Sequence, residues 1–161
     1  MQPTARSLLA LSLALLAAGC AALPETSAPT DLVIIDRTKA LQRVNAFRAE
    51  NGMPALRMED RLMVAALAQS RAMAKKNRMD HAVDGVLPDR VRAAGYDWTT
   101  TAENIAQSYR DYDRAMAGWV ASPGHRKNLL NPDVTEIGFA GARAPDGRPY
   151  WTQIFGRPRG R

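Results

Sequence analysis

The sequence contains almost no cysteine: a single residue, Cys20, among 161. It closes the stretch "MQPTARSLLALSLALLAAGC", in which Arg6 precedes an apolar run from Leu8 to Ala18. That run is too short to cross a bilayer of about 30 Å as a helix. A charged start, a short apolar run and small residues at the end are typical of a secretory signal peptide. We therefore predict that residues 1–20 are a leader outside the fold.

The lone cysteine excludes a disulfide framework for the mature domain. The ending "LLAAGC" resembles a bacterial lipoprotein signal, in which the cysteine is acylated and becomes the first residue of the mature chain. The alternative is an ordinary secretory signal with an incidental cysteine. If Cys20 is acylated, several acyl chains anchor the protein stably to a membrane. Residues 21–35, which begin with the polar, proline-containing stretch "AALPETSAPTD", then serve as a tether.

Negative charge is in short supply, because 22 lysines and arginines face 16 acidic residues and give a net charge of +6. Such a balance points to an anionic partner or surface. Nucleic acid is the usual partner of a basic chain, but the leader directs this one out of the cytoplasm, so we expect no nucleic acid. We expect the protein in the bacterial cell envelope, lipid-anchored on its periplasmic or extracellular face, with an envelope component as partner: peptidoglycan, an anionic lipid or a protein.

Several catalytic signatures are missing from the sequence. There is no H-E-x-x-H helix, no G-x-S-x-G elbow, no Walker loop and no dinucleotide-binding glycine pattern. Ser122 precedes His125 closely enough to suggest a nucleophile, but a serine before proline at a helix end is more typical of a cap or turn. The absence of a complete catalytic signature favours a binding role over an enzymatic one.

The apolar spacing predicts a largely helical first part. Leu41, Val44 and Phe47 fall three apart and predict a helix from about residue 36 that Gly52 ends. Further helices are expected at residues 60–77, at 87–95 and at 111–121, the last ended by Ser-Pro-Gly. The stretch "TTTAENIA" offers a threonine cap ahead of Glu103 and predicts another helix start.

The pattern changes to a period of two near the C-terminus. "TEIGFAGAR" and "PYWTQIFG" alternate, and "APDGR" between them is a turn signal, so they predict a β-hairpin. "GYDW" is a candidate for a further strand. Helices followed by strands predict an α+β domain with helices covering a small antiparallel sheet. The domain is expected at residues 36–157, followed by a short basic tail at 158–161.

Histidine is also scarce, with only His81 and His125. Both are expected in loops that follow helices, and Glu103 and Glu136 are the carboxylates at comparable positions. A cleft receiving all four side chains would suit a divalent metal such as zinc or proton transfer. The same groups could also brace the helices on the sheet, or remain ordinary surface residues. Spacing along the chain does not choose among these, because no two of the four are close in sequence.

A set of short motifs, in order, carries a family resemblance. They are "VNAFRAENGMPAL", "LAQSRAMAKKNRMDH", "GY", "TAENIA", "WVASPGHRKNLLNPDVTEIGFA" and "YWTQIFG". Together the chain resembles the CAP superfamily, which comprises cysteine-rich secretory proteins, antigen 5 and plant pathogenesis-related proteins, and within it the compact bacterial branch with an SCP domain. The resemblance covers roughly residues 36–157.

The resemblance implies a three-layer α-β-α sandwich with a central cleft that carries two histidines and two acids and, in some members, a divalent cation. His81, Glu103 and His125 match three of these positions. The fourth acid is expected to be Glu136, with Asp113 as the alternative. Cleft support is expected from Asn104, which braces backbone, and from Gln153, which packs nearby.

Two functions follow as hypotheses from this resemblance and the composition. The first is a lipid-anchored binding module for an envelope component. The alternative is a divalent-metal-assisted hydrolase acting on peptide or peptidoglycan bonds, in which the histidines and acids activate a water on zinc.

Overall fold

The computed structural model describes residues 32–160, so Cys20, the leader and most of the predicted tether lie outside the described residues. The described helices and strands, in chain order, are α1 Arg37–Glu50, β1 Arg57–Met58, α2 Asp60–Lys76, α3 Leu87–Ala93, β2 Trp98–Gln107, α4 Tyr112–Ala121, α5 Pro123–Leu129, β3 Glu136–Arg143 and β4 Pro149–Pro158.

The helices begin at side chains that cap free backbone N–H groups. Asp36 accepts a hydrogen bond from the backbone N–H of Lys39 at the start of α1, and Asp111 accepts one from Arg114 at the start of α4. At its other end α2 stops at Asn77, whose φ of 46° is left-handed and breaks the helical run. The predicted helices at 36–51, 60–77, 87–95 and 111–121 are thus confirmed.

The four strands form one sheet in the order β1-β3-β4-β2. β3 and β4 are antiparallel neighbours from Glu136 opposite Gly156 to Arg143 opposite Pro149, which confirms the predicted hairpin. β2 is also antiparallel to β4. The short strand β1 runs parallel to β3, so the sheet is mixed where an entirely antiparallel one was predicted.

The prediction of a helix in "TTTAENIA" is wrong, because these residues lie in β2. The threonine cap and Glu103 fit a helix start locally, but β-branched Thr100 and Thr101 also suit a strand. Pairing of β2 with β4 extends from Trp98 to Gln107 and supplies the backbone hydrogen bonds that a helix would have supplied. The candidate strand in "GYDW" is confirmed at its last residue, where β2 begins.

Helices cover both faces of the sheet. On one face α2 packs so closely that Gly138 of β3 lies directly against the backbone of Leu62 and Met63. The opposite face packs against α1, α4 and α5 through a core that includes Val44, Trp119 and Trp151. The result is the three-layer α-β-α sandwich of an α+β domain.

Residues 32–35 belong to the folded part of the chain. The N–H of Val33 donates to the carbonyl oxygen of Gly141 at 3.1 Å, and Leu32 bridges to Ala142, so the segment lies along the outer edge of β3. Val33 and Ile35 pack against the core. All buried members of the three core clusters lie between residues 40 and 155, so a chain beginning at Ala21 retains every one of them.

Arg48 ties the end of α1 to the segment after α5 from inside the protein. Its side chain is fully buried and donates to the carbonyl oxygens of Pro54 at 2.8 Å, Leu129 at 2.7 Å and Asn131 at 3.1 Å. Burial lowers the pKa of this guanidinium from its ordinary value. Carbonyl dipoles, rather than a carboxylate among the described residues, compensate its charge.

Candidate functional site

His81 and Glu103, which are 22 residues apart in sequence, are in direct contact. The imidazole Nδ1 of His81 lies 2.7 Å from Oε1 of Glu103. Because a carboxylate only accepts, this contact places the hydrogen on Nδ1 and leaves Nε2 unused by it. The Glu103 side chain is almost fully buried on β2, whereas 60% of the His81 side chain is exposed. The pair therefore presents a fixed imidazole at the surface.

Arg90, which the sequence analysis did not identify, completes this arrangement. Its Nη2 donates to the second oxygen of Glu103 at 2.8 Å and to the carbonyl oxygen of His81 at 2.9 Å. Its Nε donates to the carbonyl oxygen of Gly85 at 3.1 Å, so one buried side chain of α3 holds the loop that carries His81. Nothing in the local sequence distinguishes Arg90 from the other arginines. Both oxygens of Glu103 are thus engaged within the protein.

His125 lies within a helix, where a loop was predicted. Ser-Pro-Gly does end α4, but Ser122 is also the N-cap of α5, and Pro123 occupies the first turn, where its missing N–H costs nothing. Asn128, which was also missed, donates from Nδ2 to the carbonyl oxygen of Glu103 at 3.0 Å. The helix α5 therefore stands beside β2, next to the His81–Glu103 pair.

The electrostatics of His125 reflect this position. Burial lowers the pKa of its imidazole below the ordinary value of 6.5, and the charge of nearby His81 lowers it further. The two rings thus influence each other, and the position of His125 favours the neutral form of its imidazole. The fold therefore brings both histidines of the chain to the β2 edge of the sheet.

A cavity of about 290 Å³ opens at this edge, and we call it the cleft. It carries polar groups and apolar surface but no acidic or basic side chain other than the imidazole of His125. It is lined by Met79, Ile105, Ala106, Gln107, Tyr109, Gly118, Trp119, Ser122 and His125.

A chain of buried amides positions α5 from inside the sheet. Asn104 donates from Nδ2 to the carbonyl oxygen of His125 and to Oε1 of Gln153, both at 3.2 Å. Gln153 in turn donates to the hydroxyl oxygen of Tyr112 at 2.8 Å. Asn104 therefore contacts the backbone of the histidine-bearing helix directly, and Gln153 contacts Asn104 behind it.

Glu136 is engaged elsewhere. Its Oε2 accepts from the hydroxyl of Tyr96 at 2.6 Å and its Oε1 from Arg57 at 2.8 Å. Burial and this carboxylate raise the pKa of Tyr96 well above its ordinary value. Glu136 lies two strands from β2 and two residues further along, which is about 12 Å from Glu103 between Cα positions by strand geometry.

Asp113 is not close to the histidines either. It lies in the first turn of α4 and pairs with Lys39 and Arg43 of α1, both at 3.3 Å. Within residues 32–160 no three His, Cys, Asp or Glu side chains are grouped so that they could hold a metal ion. The set His81, Glu103, His125 and Glu136 therefore does not fit a four-ligand metal site in this geometry.

The α-β-α sandwich, with two histidines beside the edge strand β2, is the fold of a known class of protein. The chain belongs to the cysteine-rich secretory protein family, CAP, whose model matches residues 41–155. Since that match covers most of the described domain, the resemblance carried by the sequence motifs is confirmed.

Among proteins, the chain is similar to the uncharacterized protein YkwD of Bacillus subtilis. The two are 33% identical over 132 residues, which are 81% of this chain and 50% of that protein. Among structures, an extracellular SCP-domain protein of Bacillus anthracis is 30% identical with a TM-score of 0.67 over 74% of this chain and 39% of that one. The chain thus spans about half or less of the length of these two relatives.

Two other solved structures share the fold. An outer surface protein of Borrelia burgdorferi has a TM-score of 0.73 at 19% identity, covering 81% of this chain and 99% of that one. NaASP2, solved with Zn²⁺, has a TM-score of 0.56 at 13% identity, covering 74% of this chain and 78% of that one. The Bacillus anthracis protein is described as extracellular and the Borrelia burgdorferi protein as an outer surface protein. In the described part of this chain, no helix has both the length and the hydrophobicity needed to cross a bilayer.

Proposed function

We propose that this protein is a lipid-anchored binding module of the bacterial cell envelope, which recognises an envelope component in the cleft beside His81 and His125. One observation carries the proposal. Both oxygens of the Glu103 carboxylate are engaged by protein donors, so the acid fixes an exposed imidazole and is not left free to bind metal or activate water. The site is therefore built to present hydrogen-bonding groups to a ligand.

The lining of the cleft supports a polar ligand without strong charge. Gln107, Tyr109 and Ser122 offer hydrogen bonds, while Met79 and Trp119 offer apolar surface. No lysine or arginine lines the cleft and burial favours the neutral form of His125, so the cleft offers little positive charge to an anionic lipid headgroup. Saccharide or peptide units of peptidoglycan fit this mixture better than a lipid or a charged protein surface.

The location follows from sequence and relatives together. The leader ends at Cys20, and similar proteins are extracellular or outer-surface proteins by their descriptions. We propose that acylated Cys20 anchors the chain to the membrane. Labelling cells with a palmitate analogue tests this step: the wild-type chain should incorporate label and the Cys20→Ser chain should not. Release of unlabelled wild-type protein into the medium would refute the anchor.

The binding proposal is tested by sedimentation with purified peptidoglycan. The wild-type domain should pellet with it, and His81→Ala and His125→Ala should each weaken binding at least about tenfold, because His125 lines the cleft and His81 presents an exposed imidazole beside it. Arg159→Ala is a matched control, because Arg159 is exposed and pairs with Asp97 just before the start of β2, whereas the cleft lies at the end of β2. Equal pelleting of the wild type and both histidine variants would contradict the proposal.

Metal-assisted hydrolysis remains the alternative function. The contact between His81 and Glu103 resembles the acid–base pairs that move protons in hydrolases, which is the one observation in its favour. Incubating the protein with peptidoglycan and with peptides in the presence of added zinc decides it. Released fragments that disappear with His81→Ala would establish hydrolysis, and no release would exclude hydrolysis of these substrates.

A further inference from the structure

The segment that enters the domain exposes aliphatic side chains. Val33 and Ile35 point inward, while Leu32 is 52% exposed and Ile34 97% exposed. Val64 on the neighbouring helix α2 is 60% exposed. A single exposed aliphatic residue is ordinary, but several together indicate a surface that contacts something.

These residues border one groove. Between residues 32–35 and α2 lies a cavity of about 580 Å³, on the edge of the sheet opposite the cleft. Its apolar walls include Leu32, Ile34, Met63, Val64, Leu67 and Phe139. The exposed aliphatic side chains thus form one continuous surface.

Basic residues adjoin the end of this surface at which the chain enters. Leu67, Arg71 and Lys75 follow one another at intervals of four along α2 and share one side of the helix. Within residues 32–160, Arg71 and Lys75 form no ion pair with a carboxylate. We call Leu32, Ile34, Val64, Leu67, Arg71 and Lys75 the N-terminal patch.

We propose that the N-terminal patch docks on the surface of an anionic lipid bilayer. Aliphatic side chains beside unpaired cations match the apolar and anionic layers of such a surface. The chain enters the domain at Leu32, within the patch, and the eleven residues between Cys20 and Leu32 span less than about 40 Å even when fully extended. The inference extends the proposed anchoring at Cys20 and is independent of the ligand of the cleft. Docking would turn the cleft, at the opposite edge of the sheet, away from the membrane.

Vesicle sedimentation of residues 21–161, which retain all the buried core residues, tests the proposal. We expect binding to vesicles that contain phosphatidylglycerol and much weaker binding to phosphatidylcholine alone. Ile34→Asp should lower partitioning about tenfold, since it removes an exposed aliphatic side chain and adds a repelled charge. Combining Arg71→Glu with Lys75→Glu should lower it at least about 25-fold, because each cation near an anionic surface contributes about fivefold.

Matched variants control for charge and exposure. Val86 is also 52% exposed but occupies the N-cap of α3, where aspartate is a favoured residue, so Val86→Asp should bind vesicles like the wild type. Arg157→Glu combined with Arg159→Glu changes the net charge as much as the α2 pair does. These two arginines lie at the far end of the sheet from Ala142, beside which the patch residue Leu32 lies, so that variant should lose much less binding.

A label at position 34 reports contact directly. Residues 21–161 contain no cysteine, so Ile34→Cys provides a unique thiol for an environment-sensitive dye, whose emission should shift to the blue on adding phosphatidylglycerol vesicles.

Vesicle binding unchanged by Ile34→Asp would overturn the proposal. So would dimerisation that Ile34→Asp abolishes without any vesicle binding, because the patch would then contact a second copy. Loss of vesicle binding only in His81→Ala or His125→Ala would place lipid in the cleft and overturn it as well. Sedimentation with peptidoglycan tests the proposed binding in the cleft independently of these vesicle experiments.

Discussion

At the scale of residues, the site depends on which partner each ionisable side chain finds. His81, Glu103 and Arg90 come from a loop, a strand and a helix, and only the fold brings them together. The sequence identified the two histidines and Glu103 as candidates by residue type and motif. It could not predict the hydrogen-bond partners of Glu136, because these are Tyr96 and Arg57, which are 40 and 79 residues away in sequence.

The titration of His125 is a prediction at this scale. Burial disfavours its charged form, so its pKa in the folded protein should lie below 6.5, as measured by NMR on chelator-treated protein. In the unfolded chain the same imidazole takes up its proton at higher pH. The free energy of unfolding should therefore fall as pH drops through about 6.5, and the loss should stop below the folded pKa.

Two variants separate the causes of this shift. His81→Ala removes the smaller cause, so the pKa of His125 should rise but remain below 6.5, because burial persists. His125→Gln should remove this part of the pH dependence of stability. A folded pKa above 6.5 for His125 would contradict the described position of the ring.

At the scale of elements, close contact between α2 and β3 is the most demanding feature. Periodicity predicted α2 and the hairpin because both have regular patterns of buried side chains, but it could not predict the mutual approach of their backbones. The prediction of a helix at β2 was wrong for a related reason. The local sequence resembles a helix cap, but long-range pairing with β4 determines the conformation. Pairing partners distant in sequence are invisible to a local pattern.

Gly138 tests the contact between α2 and β3. A methyl group there would overlap the backbone of Leu62 and Met63, which no side-chain rotation relieves. Gly138→Ala should lower the free energy of unfolding by about 3 kcal/mol or more, measured by urea denaturation. Gly124→Ala is the matched control, because a Cβ there meets nothing within 4 Å, and it should change stability by about 1 kcal/mol at most. Equal effects of the two substitutions would contradict the described packing.

At the scale of the whole molecule, the fold was more predictable than the site. The ordered motifs identified the family, which the family model confirms, and the family in turn implied the sandwich. The four-residue metal set was expected from the same resemblance, yet Glu136 is engaged by Tyr96 and Arg57 and lies about 12 Å from Glu103. A family motif specifies positions along a chain, whereas ligation also depends on the neighbours that compete for each carboxylate.

Zinc binding tests whether the four expected residues act together as ligands. Two imidazoles alone make a weak site compared with the usual four ligands, so dialysed protein should retain less than one zinc per chain. Metal analysis of the wild type and of a His81→Ala, His125→Ala double variant checks this, and the two should differ little after dialysis. One firmly held zinc per wild-type chain, absent from the double variant, would mean that the ligands assemble in solution.

The buried Arg48 has a consequence for how the domain holds distant segments together without a disulfide. It joins segments 83 residues apart, as a covalent bridge does in many exported proteins, yet it does so through hydrogen bonds alone. Those bonds exist only in the native state, so they restrain nothing in the denatured chain, and thiol reductants have no bond to attack. Since residues 21–161 contain no cysteine, the domain should refold from denaturant equally well with or without dithiothreitol.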